Sequence, residues 1–323
     1  MSLARVLVAV TRPRLVILRA LKLGDLLTAV PALRALARAF PGHERLLAAP
    51  AWLEPLVRLI DAGGRRAIDR LVAVGELEPL PPVLSGCEVV VNLHGRGPES
   101  HNVLLELRPE RVLWFENIQV PASAGAPPWR ADEHEVVRWC RLLSAYGMTA
   151  DPAEIKLRLP ASAGFAPRTT VVHPGASSAA RQWPVERFAA VARAERTRGR
   201  NVVVTGSGGE RSLARRVADA AGLPVGSVLA GRTDLLELAR TIAAAGRVVC
   251  GDTGVAHLAV ALATPSVTVF GPTSPAHWGP RGDDGIHRVL WAGRRGDPHA
   301  TLPDPGLLDI GPEQVISALA ELP

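Results

Sequence analysis

The sequence predicts an α/β protein made of two doubly wound domains that face each other across a cleft. Three observations carry this expectation. The chain has 323 residues, enough for about two domains at roughly 150 residues each. Short β-branched runs alternate with amphipathic helical stretches, once from Leu15 to Tyr146 and again from Thr169 to Leu322, the pattern of parallel strands covered by helices. Between the two series lies Pro152–Pro167, with prolines at 152, 160 and 167, which reads as the connection. The expected division is therefore 1–160 and 161–323.

In chain order, Leu15–Arg19 reads as the first strand, and Leu26–Ala39 as a helix with leucines at helical spacing. Arg45–Ala48, Arg70–Val74, Glu88–Leu93 and Arg111–Trp114 are short apolar runs that read as further strands. Asp132–Tyr146 is a long helical stretch. The second series has strands at Thr169–His173, Asn201–Thr205, Arg247–Cys250 and Ser266–Phe270. Its helices are expected at Val185–Arg198, Glu210–Ala221, Asp234–Ala245 and Thr253–Ala263. Pro312–Leu322 closes the chain as a helix, with Pro312 suited to the first turn. In sheets of this kind ligands bind at the carboxyl ends of the strands.

Composition narrows the function classes. With 47% hydrophobic and 21% charged residues the chain can bury a core, which excludes a disordered protein. Cys87, Cys140 and Cys250 are too few and too scattered for a disulfide framework or a Cys-x-x-Cys metal site. A reducing cytoplasmic compartment is the expectation. Val6–Val10 is too short for a membrane span, and the uncharged stretch Thr253–Pro280 is broken by Gly, His and Pro. No transmembrane helix is expected. The net charge is +6, and only Lys22 and Lys156 are lysines among 37 basic residues. That ratio fits a GC-rich genome as well as a surface made for anionic partners.

Four strand-to-helix junctions carry the chemistry. In Leu18–Asp25 a tight turn at Gly24 brings Asp25 to a helix start, where it serves either as a cap or as a general base on a hydroxyl. In His173–Ser178 a small-residue loop offers amides and hydroxyls to an anion, Ser177 among them. Arg181 adds charge, and Trp183 reads as core. In Gly251–His257 the helix start at Thr253 and Gly254 is an anion site, with His257 one turn along the same face. Thr205–Glu210 is half of a dinucleotide fingerprint whose third glycine position is Arg211, which argues against NAD. Glu210 is either a ribose ligand or a solvated carboxylate. No Gly-Lys dipeptide, His-Glu-x-x-His motif or acidic cluster occurs, so neither a Walker loop nor a metal site is expected.

Taken in order, these segments resemble glycosyltransferase family 9, the bacterial heptosyltransferases that use ADP-heptose. The resemblance runs through Leu23-Gly24-Asp25, Pro31-Ala32-Leu33, Phe40-Pro41, His173-Pro174-Gly175-Ala176, Trp183-Pro184 and Glu186-Arg187-Phe188. It continues through Asp252-Thr253-Gly254 with His257 and ends at Phe270-Gly271-Pro272-Thr273 with Pro275. It implies a GT-B architecture of two Rossmann-like domains, with the acceptor on the first and the nucleotide sugar on the second. It leaves room for the last helix to return to the first domain. It also implies inverting, metal-independent transfer without a cofactor, from an ADP-sugar to a glycan or glycolipid hydroxyl, as in lipopolysaccharide biosynthesis. Contact with the inner face of the membrane is compatible with it.

By the same resemblance Asp25 is the base. Ser177, Arg181, Glu210, Asp252, Thr253, Gly254 and His257 bind the donor, and Lys22, Asn92 and His94 stand on the acceptor side. Two positions depart from the family's habit: Arg181 replaces a lysine, and Asn92 replaces an aspartate. An epimerase or hydrolase of the same fold, and a non-catalytic nucleotide-sugar binder, are the alternatives. Nucleic-acid binding is disfavoured because the arginines are dispersed.

Overall fold

The structure, a computed structural model, describes residues 12–159, 168–281 and 285–323. Val6–Val10 and the joint expected at Pro160 lie outside the described residues. The first half contains β1 (Arg14–Leu18), α1 (Leu23–Ala39), β2 (Glu44–Ala49), α2 (Glu54–Val57) and a small hairpin of β3 (Asp61–Ala62) and β4 (Arg65–Arg66). These are followed by β5 (Arg70–Ala73), β6 (Val89–Asn92), α3 (Glu99–Leu105), β7 (Arg111–Leu113) and α4 (Glu135–Ala145). The second half contains β8 (Thr169–His173), α5 (Val185–Thr197), β9 (Asn201–Val204), α6 (Arg211–Ala220), α7 (Leu235–Ala244), β10 (Arg247–Gly251) and α8 (Gly254–Ala261). It ends with β11 (Ser266–Phe270), α9 (Pro275–Trp278), β12 (His287–Trp291), α10 (Pro305–Leu308) and α11 (Pro312–Ala320).

Both large sheets are parallel, as the near-continuous apolar strands require. The first has the order β5-β2-β1-β6-β7 and the second β12-β11-β10-β8-β9. Chain direction across the first sheet reverses between β1 and β6, where Leu18 lies opposite Asn92. In the second it reverses between β8 and β10, where Cys250 lies opposite His173. Ligand crevices form at such switch points, beyond the carboxyl ends of the strands. The first turn of α1, with Asp25, and the loop that carries His94 therefore neighbour each other, as do the loops that carry Ser177 and Asp252.

The two halves share apolar packing. Helix α1 is buried nearly all round, with Leu27, Val30 and Leu33 fully inaccessible, because it packs on α4 on one side and on α8 of the second half on the other. One continuous apolar cluster runs from Leu15 through α1 and α4 to Val255 and Leu258 of α8. The described part of the connection reinforces the joint: Arg34 of α1 donates to the Lys156 carbonyl at 2.9 Å, and the Leu157 amide donates to the Ala261 carbonyl at 2.7 Å.

Two expectations need correction. Helix α11 does not return to the first domain. It packs on α5, β11 and β12, because Val315 and Leu319 complete the apolar cluster of the second sheet. Helix α1 begins at Leu23, three residues before the expected start, so Asp25 lies inside the first turn. The α3 helix, the β3–β4 hairpin and the edge strand β12 were not expected from the sequence pattern.

Candidate active site

The site expected from the sequence lies where α1 and α8 pack against each other at their first turns. A Cβ on Gly24 would sit 2.8 Å from His257 Cδ2, and a Cβ on Gly254 would sit 2.8 Å from Leu23 Cβ. Both positions therefore need glycine for close approach, not for unusual dihedrals as the turn at Gly24 suggested. His257 is wedged between Gly24 and Trp278, whose ring centroid lies 5.8 Å away. Burial, helped by nearby His134, pushes the His257 imidazole down to about 4. It is neutral at pH 7 and forms part of the seam between the domains.

Asp25 is the third residue of α1. Its Oδ2 accepts from the Lys22 amide at 3.1 Å, and its Oδ1 lies 3.6 Å from Arg19 Nη2. The carboxylate reaches back over the helix start rather than standing before it as an N-cap. Its side chain keeps 22% exposure.

The residues expected to bind the donor gather at the second switch point. Arg181 donates to Ser177 Oγ and, more weakly, to Ser178 Oγ at 3.5 Å. Asp252 is buried beyond β10, and burial pushes its carboxyl up to about 6 against the pull of Arg181 and a hydrogen bond from the Thr273 side chain. Thr253 is the N-cap of α8 with extended backbone, yet its Oγ1 is buried and makes no hydrogen bond. Glu210 Oε2 accepts from the Ser207 amide at 2.7 Å, and its carboxylate lies over Gly175, where a Cβ would come within 2.1 Å of Oε1. Ser177, Arg181, Glu210, Asp252, Thr253 and Gly254 thus stand beyond the carboxyl ends of β8, β9 and β10. Trp183 is core, as expected: it is 1% exposed and donates to the Ile310 carbonyl at 3.0 Å.

Across the seam stand the three residues expected on the acceptor side. Asn92 is fully buried. Its Nδ2 donates to Ser100 Oγ at 2.9 Å and meets His101 Nδ1 at 3.2 Å, while its Oδ1 accepts from the His94 amide at 2.9 Å. It clamps the loop after β6 and has no face for a ligand, so its assignment to the acceptor is corrected. The clamp fixes His94 instead. The His94 Nδ1 atom is buried without a hydrogen-bond partner, and burial together with Arg19 pushes the imidazole down to about 4. Lys22 is exposed at the mouth.

Residues 124–293, just over half of the chain, match the family described as "Glycosyltransferase family 9 (heptosyltransferase)". The chain belongs to this family. Among solved structures it is similar to the Escherichia coli ADP-heptose lps heptosyltransferase II, with a TM-score of 0.76, 21% identity and coverage of 95% of this chain and 97% of that one. It is also similar to the family 9 glycosyl transferase of Veillonella parvula DSM 2008, with a TM-score of 0.73, 18% identity and coverage of 96% and 97%. A third likeness is to the E. coli heptosyltransferase WaaC with ADP, with a TM-score of 0.70, 21% identity and coverage of 95% and 99%. At these identities the likenesses establish the fold, which is GT-B. No curated protein matches the sequence.

In this family 9 glycosyltransferase several site residues were invisible to sequence reasoning. Arg19 looked like a strand end, yet it touches Asp25. Glu135 and His134 open α4, and His134 Nε2 meets the Gly279 carbonyl at 3.0 Å across the domains. Among the described residues no group of three or more His, Cys, Asp or Glu side chains is placed to hold a metal ion, and no helix is long and apolar enough to cross a membrane.

Asp252 gives a pH prediction. Its folded value of about 6 lies above the unfolded carboxylate value near ~3.9, so the folded state holds the extra proton. Its contribution to stability is complete below about pH 4 and falls as pH rises to about 6, by about 1–3 kcal/mol. Asp252→Asn removes that loss. Urea unfolding should show the variant more stable than the parent at pH 7.5 and nearly equal at pH 4. A difference of the same size at both values would refute the assignment.

Proposed function

We propose that the protein transfers a sugar, most simply heptose, from an ADP-sugar to a hydroxyl of a glycan or glycolipid, with inversion at the anomeric carbon. The observation that carries this reading is the Gly24–Gly254 seam. It sets the first turn of α1, with Asp25, against the first turn of α8, whose amides and unbonded Thr253 hydroxyl are suited to a diphosphate. Support for the donor comes from the similar E. coli proteins, one named for ADP-heptose and one described with ADP.

In this reading the second domain, residues 161–323, holds the donor and the first, residues 1–160, receives the acceptor. Asp25 takes the proton from the attacking hydroxyl as the new glycosidic bond forms. The bond from the anomeric carbon to the diphosphate oxygen breaks, and its electron pair leaves with ADP. Arg181, the Ser177 hydroxyl and the α8 amides stabilise the departing charge, which lets these donors do the work without a metal. Glu210 meets the ribose. Asp252, beside a diphosphate, serves a sugar hydroxyl best, because burial keeps it largely protonated below about pH 6. His257 supports the site by packing, and Lys22 and His94 flank the acceptor. The buried free cysteines Cys87, Cys140 and Cys250 suit a reducing cytoplasm.

The test is ADP release from ADP-heptose with and without a lipopolysaccharide-core acceptor, in the presence of EDTA. Release that requires the acceptor, survives EDTA and yields the inverted glycoside is expected. Release at the same rate without acceptor would make the protein a hydrolase. Activity that disappears with EDTA and returns with Mg²⁺ would overturn the metal-free route.

A further inference from the structure

We propose that Arg19 and Glu135 form a positioning pair that sets the orientation and proton affinity of the Asp25 carboxylate, Glu135 acting by competing for the same guanidinium. The inference rests on the reading of Asp25 as the base.

Arg19 is 1% exposed and every edge of its guanidinium is engaged. Nε donates to the Asp25 carbonyl at 3.0 Å, Nη1 donates to the Leu93 carbonyl, and Nη2 donates to Thr28 Oγ1 at 3.2 Å and to Glu135 Oε1 at 3.0 Å. Its plane lies over the Trp139 ring at 4.7 Å. Glu135 is 5% exposed, and its Oε1 also accepts from Trp139 Nε1 at 2.9 Å while Oε2 is held by Arg138. The arrangement staples β1, α1, β6 and α4 together, but a staple alone does not explain where Asp25 stands. Asp25 Oδ1 faces the same Nη2 at 3.6 Å, beyond hydrogen-bond range, while Glu135 takes that nitrogen at 3.0 Å. Asp25 therefore feels the positive charge without spending the Oδ1 lone pair on it. Its other oxygen is fixed by the Lys22 amide.

A base needs this balance. A full charge-assisted bond from Arg19 would occupy the Oδ1 lone pair that has to receive the proton, whereas no guanidinium at all would leave the carboxylate without a fixed orientation. Glu135 keeps Arg19 at the intermediate position. The other titratable groups around the pair are Lys22 beside Asp25, His94 from the β6 loop, Arg138 and His134 on α4, and His257 on α8. Both His94 and His257 are neutral at pH 7.

The test is a double-mutant cycle on kcat with ADP-heptose and acceptor, with ADP binding measured alongside. Arg19→Lys, which keeps the charge and loses the fork, is expected to lower kcat by about tenfold. Arg19→Gln is expected to lower it by about 10²-fold, a typical size for a misplaced base. ADP affinity should be unchanged in both. In an Asp25→Asn background the same Arg19 substitutions should cost no further kcat. Glu135→Gln, which preserves shape and the Trp139 hydrogen bond, should move the acid limb of the kcat profile to lower pH, and Arg19→Lys should move it to higher pH. Equal losses in both backgrounds, or acid limbs that stay in place, would reduce the pair to a structural staple and overturn the proposal. A separate outcome, near-normal kcat in Asp25→Asn alone, would instead remove the reading of Asp25 as the base.

Discussion

Replacing Asp25 with alanine is expected to reduce kcat by about 10²–10⁴-fold, the usual contribution of a positioned general base, and to leave ADP binding nearly intact. The residue sits on α1 of the first domain, whereas Arg181, Thr253 and Glu210, which are proposed to hold the donor, sit on the second. Alanine also removes the acceptor of the Lys22 amide bond, a capping interaction of about 0.5–2 kcal/mol. Asp25→Asn separates the two effects. The amide oxygen still accepts from Lys22, so stability should stay near the parent, but it cannot take a proton, so kcat should fall as far as in the alanine variant. Rates measured under single-turnover conditions decide the matter, because they isolate the chemical step from product release. A stable, fully active Asp25→Asn variant would end the assignment.

The second large effect is expected at the seam. In Gly254→Ala the new methyl would lie 2.8 Å from Leu23 Cβ and 3.0 Å from Leu23 Cγ, a stiff neighbour at the start of a buried helix. The two helix starts must then move apart, at a cost of about 1–3 kcal/mol for overpacking. The cost in rate is larger, since a displacement near 1 Å between donor and base is worth about 10²-fold. Gly24→Ala meets the edge of the His257 ring, which can turn, so its effect should be smaller. The expected order of both stability loss and kcat loss is Gly254→Ala greater than Gly24→Ala, measured by urea unfolding and turnover on the same samples. Parent-like turnover in Gly254→Ala would show that the domains do not meet this closely when the protein works.

Much of the fold was legible because its strands are short, apolar and well punctuated. Thr169–His173 and Ser266–Phe270 stand as expected, and most other strands differ by a residue at one end. The start of α1 was misread for a physical reason. Gly24 looks like a breaker, but it is glycine because His257, far along the chain, packs on it, and periodicity carries no trace of such a contact. Asn92 was misjudged likewise. Its partners Ser100 and His101 belong to α3, a helix of 7 residues too short to show an apolar repeat, so the clamp could not be seen. Arg19 was hidden by the general excess of arginine and becomes distinctive only when Glu135 and Asp25 are brought to either side of it. The junctions around Ser177, Asp252 and Thr253 were legible because strand-to-helix turns with small residues repeat in sequence what they do in space.

The most direct measurement is calorimetric titration of the protein with ADP, UDP and GDP, and with their sugar conjugates, in EDTA. Selective binding of ADP and ADP-heptose, weakened by Arg181→Ala and Thr253→Ala and unaffected by Asp25→Asn, is the predicted result. Preference for a uridine or guanosine nucleotide, or binding that appears only when Mg²⁺ is restored, would contradict it.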